Sequence, residues 1–322
     1  MTVLDLAVPS PAQPNVMGPA PVIVVDDFLP KELVEAMRVD IETHFGTPYR
    51  HRPDTHQVWN YWYVPGQYTY LRTRPQKVID EARMKACFDT LANWCRDNLG
   101  LDRVTWPFLS LYLPGCRQNW HNDTRGGRFA FVLSLTKNDR QTQGGETLVM
   151  RDGDTIRTRM TSHSTGKDFF AIVPPVFNRL VVFDDRASHA VERLDGSMDP
   201  VEGRIVLHGH IAEGEPHVTG ALPRARVTTM IATAVRTFMD ANRDLLEGWH
   251  GPLCCRLVIE PSGQASITRI LVDRVLNANQ SPQAWAALRP RLLEAIEAVR
   301  FPMAAARTFV ILPVMLGGPL NT

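Results

Sequence analysis

Two side chains that can bind a metal, His121 and Asp123, lie two residues apart in the segment His121-Asn122-Asp123. The segment stands between two apolar runs, 108–114 and 129–136, so it falls where a strand is expected to end. Side chains two positions apart in an extended segment point to the same side. The imidazole of His121 and the carboxylate of Asp123 can therefore reach one ion.

A third metal ligand is needed, and His189 supplies it at the end of the segment 180–189, which begins with another apolar run. Two histidines and one carboxylate form the facial triad that suits non-haem Fe(II) and leaves open coordination positions. Asp184 and Asp185 are alternative carboxylate ligands, but they precede the histidine in a predicted turn. We therefore expect His121, Asp123 and His189 to be the iron ligands and the catalytic centre.

Short strands, separated by turn residues, position these side chains. Two helices are predicted first, at 30–46 and 76–99, after a strand at 21–27. The later strands are predicted at 108–113, 129–135, 146–151, 169–173, 180–183 and 204–211. This order indicates an α+β fold in which a double-stranded β-helix, or jelly roll, has supporting helices. Gly144-Gly145-Glu146 is interpreted as a turn that backbone geometry requires, not as the source of a catalytic acid.

Several ordered motifs agree with one known family. They are LYLPGCRQNWHNDTRGGRFAFVLSLT, GGETLV, LVVFDDRASHAVERLDG and GRIVLHGHI, with VIVVDDFLPKELVEAMR upstream. Over residues 20–212 they resemble the 2-oxoglutarate-dependent Fe(II) oxygenases of the prolyl-hydroxylase-like superfamily. The resemblance implies that His121, Asp123 and His189 bind iron.

The resemblance also implies a binding site for 2-oxoglutarate. Arg204 matches the family's basic residue that pairs with the distal carboxylate, and its planar fork suits a carboxylate. Tyr112 aligns with a tyrosine that often contacts the co-substrate, the alternative being a buried core tyrosine. Val206, His208 and His210 share the strand face of Arg204 by the period of two. His208 is therefore assigned to the co-substrate site, with simple packing of both histidines as the alternative.

Two departures from the family pattern bear on the site. Leu133 and Leu135 stand where many members have a polar or tyrosine contact to the co-substrate. The interval between the third ligand and the co-substrate arginine is also longer than usual, which implies a loop through 196–203. Asp123, in contrast, is present where related halogenases carry a small residue. Hydroxylation is therefore the expected outcome.

An aromatic stretch, residues 49–70, contains seven tyrosine and tryptophan residues. One interpretation is an aromatic strand pair in the core, because these side chains pack well and favour strands. The other is a substrate-binding lip. An open groove here would suit a peptide, and a closed pocket would suit a small free substrate.

The carboxy-terminal region, 225–322, changes to a helix, hairpin, helix and strand. These elements are predicted at 226–246, 253–272, 282–299 and 308–314. With Arg300-Phe301-Pro302 they resemble the TonB carboxy-terminal-like domains, which implies a small α/β domain that binds a protein partner or forms a homodimer. The alternative is a structural buttress on the preceding domain.

Bulk properties set the domain organisation and exclude some partners. We predict a flexible, proline-rich leader at 1–20, a jelly-roll domain at 21–220 and the small domain at 225–322. The 35 Lys and Arg against 34 Asp and Glu give a net charge of +1, which attracts neither nucleic acid nor a membrane. No export signal or long apolar run is found. Five cysteines without a paired motif are expected to be free thiols, so a cytoplasmic location is predicted.

Together these features predict a 2-oxoglutarate-dependent dioxygenase that uses Fe(II), 2-oxoglutarate and O2, with ascorbate as an optional reductant. It is expected to hydroxylate an unactivated C–H bond of an amino acid, a peptidyl residue or a related small molecule, releasing succinate and CO2. The alternative is a non-catalytic ligand- or partner-binding module built on a jelly roll. The sequence leaves open the substrate, the choice between hydroxylation, desaturation and cyclisation, and the oligomeric state.

Overall fold

The computed structural model describes residues 3–5, 22–46, 58–123, 128–151, 169–277 and 282–317, which form two compact units. Within the described residues, the first unit contains 3–5, 22–91 and 104–211, and the second contains 92–103 and 212–317. The predicted leader lies outside the described residues, apart from 3–5. None of the described helices is long and apolar enough to cross a membrane.

The first unit is built mainly from antiparallel strands. Among the described residues these are β1 (Val3–Asp5), β2 (Val22–Val25), β3 (Asn60–Val64), β4 (Tyr68–Thr73), β5 (Arg103–Val104), β6 (Phe108–Tyr112), β7 (Arg117–His121), β8 (Phe129–Ser134), β9 (Thr142–Gln143), β10 (Thr147–Met150), β11 (Phe170–Val173), β12 (Leu180–Asp184), β13 (His189–Val191), β14 (Asp195–Gly196) and β15 (Arg204–Ala212). The helices are α1 (Lys31–Phe45) and α2 (Glu81–Leu99), with 3-10 turns at Pro75–Lys77 and Pro200–Glu202. Residues 92–99 of α2, Arg103 of β5 and Ala212 of β15 belong to the second unit.

One large sheet runs in the order β1-β2-β12-β8-β15-β6-β4-β7-β13-β10-β11, with β3 added beside β4. Every neighbouring pair along this path is antiparallel. Neighbours in the sheet are often distant in sequence, as where β15 lies between β6 and β8. The nearly closed antiparallel sheet confirms the predicted jelly roll.

Burial explains why the sequences of the central strands are continuous apolar runs. All five residues of β12 are buried, and in β8 only Val132 is partly exposed. A strand that is covered on both faces has no polar side, so it loses the alternation of a half-exposed strand. Helix α1 covers part of the sheet with its buried stripe, and its buried Arg38 donates to the carbonyl groups of Leu135 and Val201 at 2.9 and 2.5 Å.

Three elements differ from the sequence prediction. The helix predicted at 76–99 begins at Glu81, because the Asp80 carboxylate accepts from the Ala82 and Arg83 amides and caps it there. The aromatic strand pair forms as β3 and β4, but the interpretation that it lies in the core is wrong for β3. All but the last residue of that strand are exposed. Strand β7, which carries His121, was also not predicted as a separate strand.

The second unit has its own core and its own sheet. Its described elements are β16 (His217–Gly220), α3 (Arg224–Ala241), α4 (Arg243–Leu246), β17 (Gly251–Ile259), β18 (Ala265–Asp273), α5 (Pro282–Glu297) and β19 (Thr308–Leu316). The sheet order is β16-β19-β17-β18, and α3 and α5 bury apolar side chains in the same core cluster. The predicted order of helix, hairpin, helix and strand is therefore observed.

All five cysteines of the chain are buried and unpaired, as expected.

Asn178 fixes the turn that leads into β12 and so towards His189. It has a left-handed φ of 59° and is buried. Its amide side chain accepts from the Leu29 amide and donates to the Leu29 carbonyl, both at 2.9 Å, and its own carbonyl accepts from Phe28. One side chain thus satisfies both backbone groups of a buried residue far away in sequence.

We expect Asn178→Ala to lower the free energy of unfolding by about 3 kcal/mol, because it leaves two buried backbone groups unpaired and strains a left-handed position. Asn178→Gly removes the same hydrogen bonds but tolerates the positive φ, so it should lose about 1 kcal/mol less. Urea unfolding of both variants measures the two effects. An Asn178→Ala variant as stable as the wild type would contradict this role.

Candidate metal centre

Strands β7 and β13 bring the three predicted metal ligands together. They pair antiparallel with His121 directly opposite His189. Asp123 follows β7, and its backbone amide donates to the Asp185 carbonyl at 2.9 Å. One ligand atom from each of His121, Asp123 and His189 lies within 4.8 Å of the others, so the three side chains can hold one metal ion.

Backbone carbonyl groups set the orientation of both histidine rings. Nδ1 of His121 lies 2.7 Å from the Asn119 carbonyl, and Nδ1 of His189 lies 3.0 Å from the Ala187 carbonyl. Because a carbonyl only accepts, each Nδ1 carries the proton, and each neutral ring keeps its lone pair on Nε2. Nε2 is therefore the atom that each ring offers to a metal.

The electrostatics of the cluster favour the protonation states that a metal requires. Burial, together with the neighbouring His189, lowers the pKa of His121 and keeps this ring neutral. Burial alone would raise the pKa of Asp123, but its interactions with His189 and His210 outweigh burial and hold the pKa below its usual range. One carboxylate and neutral imidazole nitrogens match the donor set for non-haem Fe(II).

The alternative carboxylates, Asp184 and Asp185, are not part of this cluster. The Asp184 side chain accepts from Arg186 Nε and Nη2 at 2.9 and 2.7 Å, so it is engaged within its own turn. Asp185 lies in the predicted turn, whereas Asp184 is the last residue of β12 and not part of that turn.

A cavity of about 320 Å³ opens beside the cluster and contains every predicted site residue in its wall. Besides the three metal-binding candidates, the wall includes Tyr112, Arg204, His208 and His210. The last three lie on β15 and, with Val206, occupy every second position from 204 to 210, as the strand period requires.

Arg204 is a buried cation with unused donors. It is 1% exposed, and its Nη2 donates to Thr147 Oγ1 at 3.1 Å. Its Nε and Nη1 have no hydrogen-bond partner among the described residues. A guanidinium in this state is costly unless an anion pairs with it. The buried donors therefore fit a carboxylate group bound in the cavity.

The comparison of sequences agrees with this geometry. Residues 107–211 match the model of the 2OG-Fe(II) oxygenase superfamily, a range that includes all six predicted site residues. They form a 2OG-Fe(II) oxygenase domain. The protein is therefore an oxygenase enzyme, and the family's cofactors are Fe(II), 2-oxoglutarate and O2.

Solved structures similar to this oxygenase have low sequence identity. A prolyl-4-hydroxylase from Pseudomonas putida is 19% identical, with a TM-score of 0.42 over 61% of this chain and 94% of that one. A prolyl hydroxylase from Trichoplax adhaerens, in complex with a hypoxia inducible factor peptide fragment, is 14% identical, with a TM-score of 0.40 over 58% and 81%. The carbocyclase SnoK from nogalamycin biosynthesis is 14% identical, with a TM-score of 0.38 over 58% and 77%. No curated protein matches the sequence.

The family match, residues 107–211, includes no residue of the second unit. The resemblance of residues 225–322 to TonB carboxy-terminal-like domains, and the partner or homodimer that it implies, therefore stay predictions.

Thr147 is a site residue that the sequence prediction missed. It lies on β10 and binds Arg204, whereas Leu133 and Leu135, at the positions where family members often have a polar contact, are fully buried. It belongs to the motif GGETLV, and its place in the wall of the oxygenase cavity and its contact with Arg204 are seen only in the folded sheet. Gly145 in the same motif has a φ of 79°, and a Cβ there would lie 2.9 Å from Arg204 Cδ. The glycine is required by geometry, as interpreted.

Tyr112 and His208 stay uncharged in the oxygenase cavity. Burial raises the pKa of Tyr112, whose hydroxyl donates to Gln118 Oε1 at 2.9 Å. Burial, together with the positive charges of two arginines, lowers the pKa of His208 to about 3. Its Nε2 lies 2.8 Å from Ser110 Oγ.

His208 should make the oxygenase less stable in acid. The unfolded chain binds a proton on this ring below about pH 6.5, and the folded chain does not, so stability falls as the pH drops below that value. We expect His208→Gln to reduce the loss of unfolding free energy between pH 7 and pH 5 by about 1–2 kcal/mol. Urea unfolding at both pH values measures the difference, with His217→Gln in the second unit as the control. If the unfolding free energy of the wild type and of His208→Gln changed equally with pH, this role of His208 would be contradicted.

Proposed function

We propose that this protein is an Fe(II)- and 2-oxoglutarate-dependent dioxygenase that hydroxylates an unactivated C–H bond of an amino acid, a peptidyl residue or a related small molecule. Succinate and CO2 are the co-products. The observation that carries the proposal is that a three-ligand metal cluster and a buried arginine with unused donors line the same cavity.

His121, Asp123 and His189 are the proposed iron ligands. When bound, Fe(II) supplies the activation of O2 that couples oxidation of the substrate to decarboxylation of 2-oxoglutarate. The chain's own contribution is to bring the three donor side chains together in the wall of one cavity. The carbonyl groups of Asn119 and Ala187 keep the two rings in the tautomer that binding requires.

Arg204 is the proposed partner of the distal carboxylate of 2-oxoglutarate. Thr147 orients its guanidinium through one hydrogen bond, and the Tyr112 ring lies 4.6 Å from its Cζ. The deep burial of Arg204 keeps water from competing for its donors, which strengthens a carboxylate contact. His208, neutral and hydrogen-bonded to Ser110, shapes the wall beside this position without adding charge.

The metal assignment predicts that His121→Ala and His189→Ala lose the bound metal. The wild type should bind one equivalent of Mn(II), used anaerobically in place of Fe(II), and either variant should lose at least 90% of it because two ligands do not retain the ion. Equilibrium dialysis with elemental analysis measures this. His217→Ala should bind metal like the wild type. Full binding by both cluster variants would refute the assignment.

The co-substrate assignment predicts that Arg204→Gln weakens 2-oxoglutarate binding by about 100-fold, because a buried charge-assisted contact is lost. Thr147→Val removes only the hydrogen bond that orients Arg204, so it should weaken 2-oxoglutarate binding by about tenfold. Calorimetry on the Mn(II)-loaded protein gives the Kd values, and Arg193→Gln, an exposed arginine, is the control.

Activity itself is tested with Fe(II), O2 and panels of amino acids and peptides. Succinate release should depend on an added substrate, which should gain ~16 Da, the mass of one oxygen atom. The proposed function would be contradicted if protein that binds metal released no succinate with any of the substrates at any concentration of 2-oxoglutarate.

A further inference from the structure

A second guanidinium, that of Arg72, lines the same cavity as Arg204. Arg72 lies on β4, and its Cζ is 3.5 Å from the ring centroid of Trp62 and 4.1 Å from that of Phe108. The guanidinium is therefore stacked against two aromatic rings. Such stacking fixes the plane of the group but leaves the N–H donors at its edge available.

Arg72 makes no ion pair with any carboxylate in the part of the chain that the structure describes. Its polar neighbour is the Tyr70 hydroxyl, which stays protonated because burial raises the pKa of that group despite the opposing effect of Arg72. The position thus has a fixed cation and a neutral hydroxyl. Both can donate hydrogen bonds, and neither supplies a negative charge.

The two arginines occupy separate places in the cavity. In the register of the sheet, Arg72 on β4 lies opposite Ser110 on β6, and Arg204 on β15 lies opposite Tyr112, which is also on β6. Two strand spacings and a shift of two residues put their Cα atoms roughly 12 Å apart. Arg204 is fully buried, whereas Trp62, which stacks on Arg72, is 37% exposed. Arg204 is at the inner end and Arg72 is nearer to the opening.

Charge balance shows what Arg72 lacks. Arg72, Asp123 and Arg204 are the charged side chains among the described residues that line the cavity. A divalent metal, Asp123, doubly charged 2-oxoglutarate and Arg204 together have no net charge. The charge of Arg72 remains uncompensated beside them, and a buried or half-buried cation of this kind favours an anionic ligand.

We propose that Arg72 binds a carboxylate group of the primary substrate, which is a free carboxylic acid of amino-acid size or the carboxy-terminal residue of a peptide. This inference rests on the proposed function, because the charge balance includes the metal and the co-substrate. One positive charge with planar donors matches one carboxylate, whereas a phosphate monoester would bring about two negative charges. An internal residue of a peptide has no carboxylate on its backbone and would leave Arg72 unpaired.

The test uses binding to the full chain loaded with Mn(II) and 2-oxoglutarate without O2. The probes are the twenty common L-amino acids, their carboxamides, and glycyl dipeptides that end in the same residues. We expect at least one carboxylate to bind with a Kd at least tenfold lower than its carboxamide. Tighter binding of the free amino acids or of the dipeptides distinguishes the two sources of the carboxylate.

Arg72→Gln should bind the preferred carboxylate and its carboxamide with Kd values within threefold of each other. Its Kd for 2-oxoglutarate should change far less than that of Arg204→Gln, which also shows that the variant is folded. Arg269→Gln, an exposed arginine on β18, should retain the carboxylate preference.

The assignment is overturned by equal binding of carboxylates and carboxamides by the wild type, by binding of none of the probes, or by a preference retained in Arg72→Gln. A loss of 2-oxoglutarate binding in Arg72→Gln equal to that in Arg204→Gln would also overturn it. Failure of the proposed function is a different result: the wild type would bind neither Mn(II) nor 2-oxoglutarate, or would bind both and release no succinate with Fe(II) and O2.

Discussion

The pairing of β7 with β13 is the constraint on which the site depends. It places His121 opposite His189, although the two residues are far apart in the chain. Side chains alternate across a strand, so a slip of one residue would turn His189 away from Asp123 and leave the cluster with two ligands. On its other side β13 pairs with β10, where Val149 lies opposite His189. The same register therefore also decides where Thr147 points, and through Thr147 it affects Arg204.

Arg204 shows how the fold accepts a local cost for a functional gain. Two nitrogen atoms of this buried guanidinium have no acceptor among the described residues, and such donors destabilise the folded chain because they have lost water without gaining a partner there. The surrounding structure accommodates it through Gly145, whose missing side chain leaves room for the arginine stem. A ligand that supplies a carboxylate recovers this cost on binding, so binding is coupled to stability of the folded state.

The sequence predicted the parts of the site that depend on residue type and on local spacing. His121 and Asp123 follow from their separation by two in an extended segment, and the jelly roll follows from short apolar runs with turns between them. Arg204 and Tyr112 required the family resemblance. Thr147 and Arg72 could not be found this way, because their partners lie on strands that are brought together only by the sheet order. The sequence left open whether β3 is covered or forms a substrate-binding lip, since aromatic residues favour strands whether or not anything covers them.

The difference between the two arginines follows from how each guanidinium is held. Arg204 is fixed by a hydrogen bond and by nearly complete burial, and burial of this kind strengthens a contact with a carboxylate and shields it from salt. Arg72 is fixed by ring stacking beside half-exposed aromatic side chains, where water and salt weaken the attraction. A co-substrate common to every turnover suits the first position, and a substrate that must be selected suits the second. One cavity can thus bind two carboxylates, one at the deeply buried Arg204 and one at Arg72 nearer to the opening, because the two cations are desolvated to different degrees.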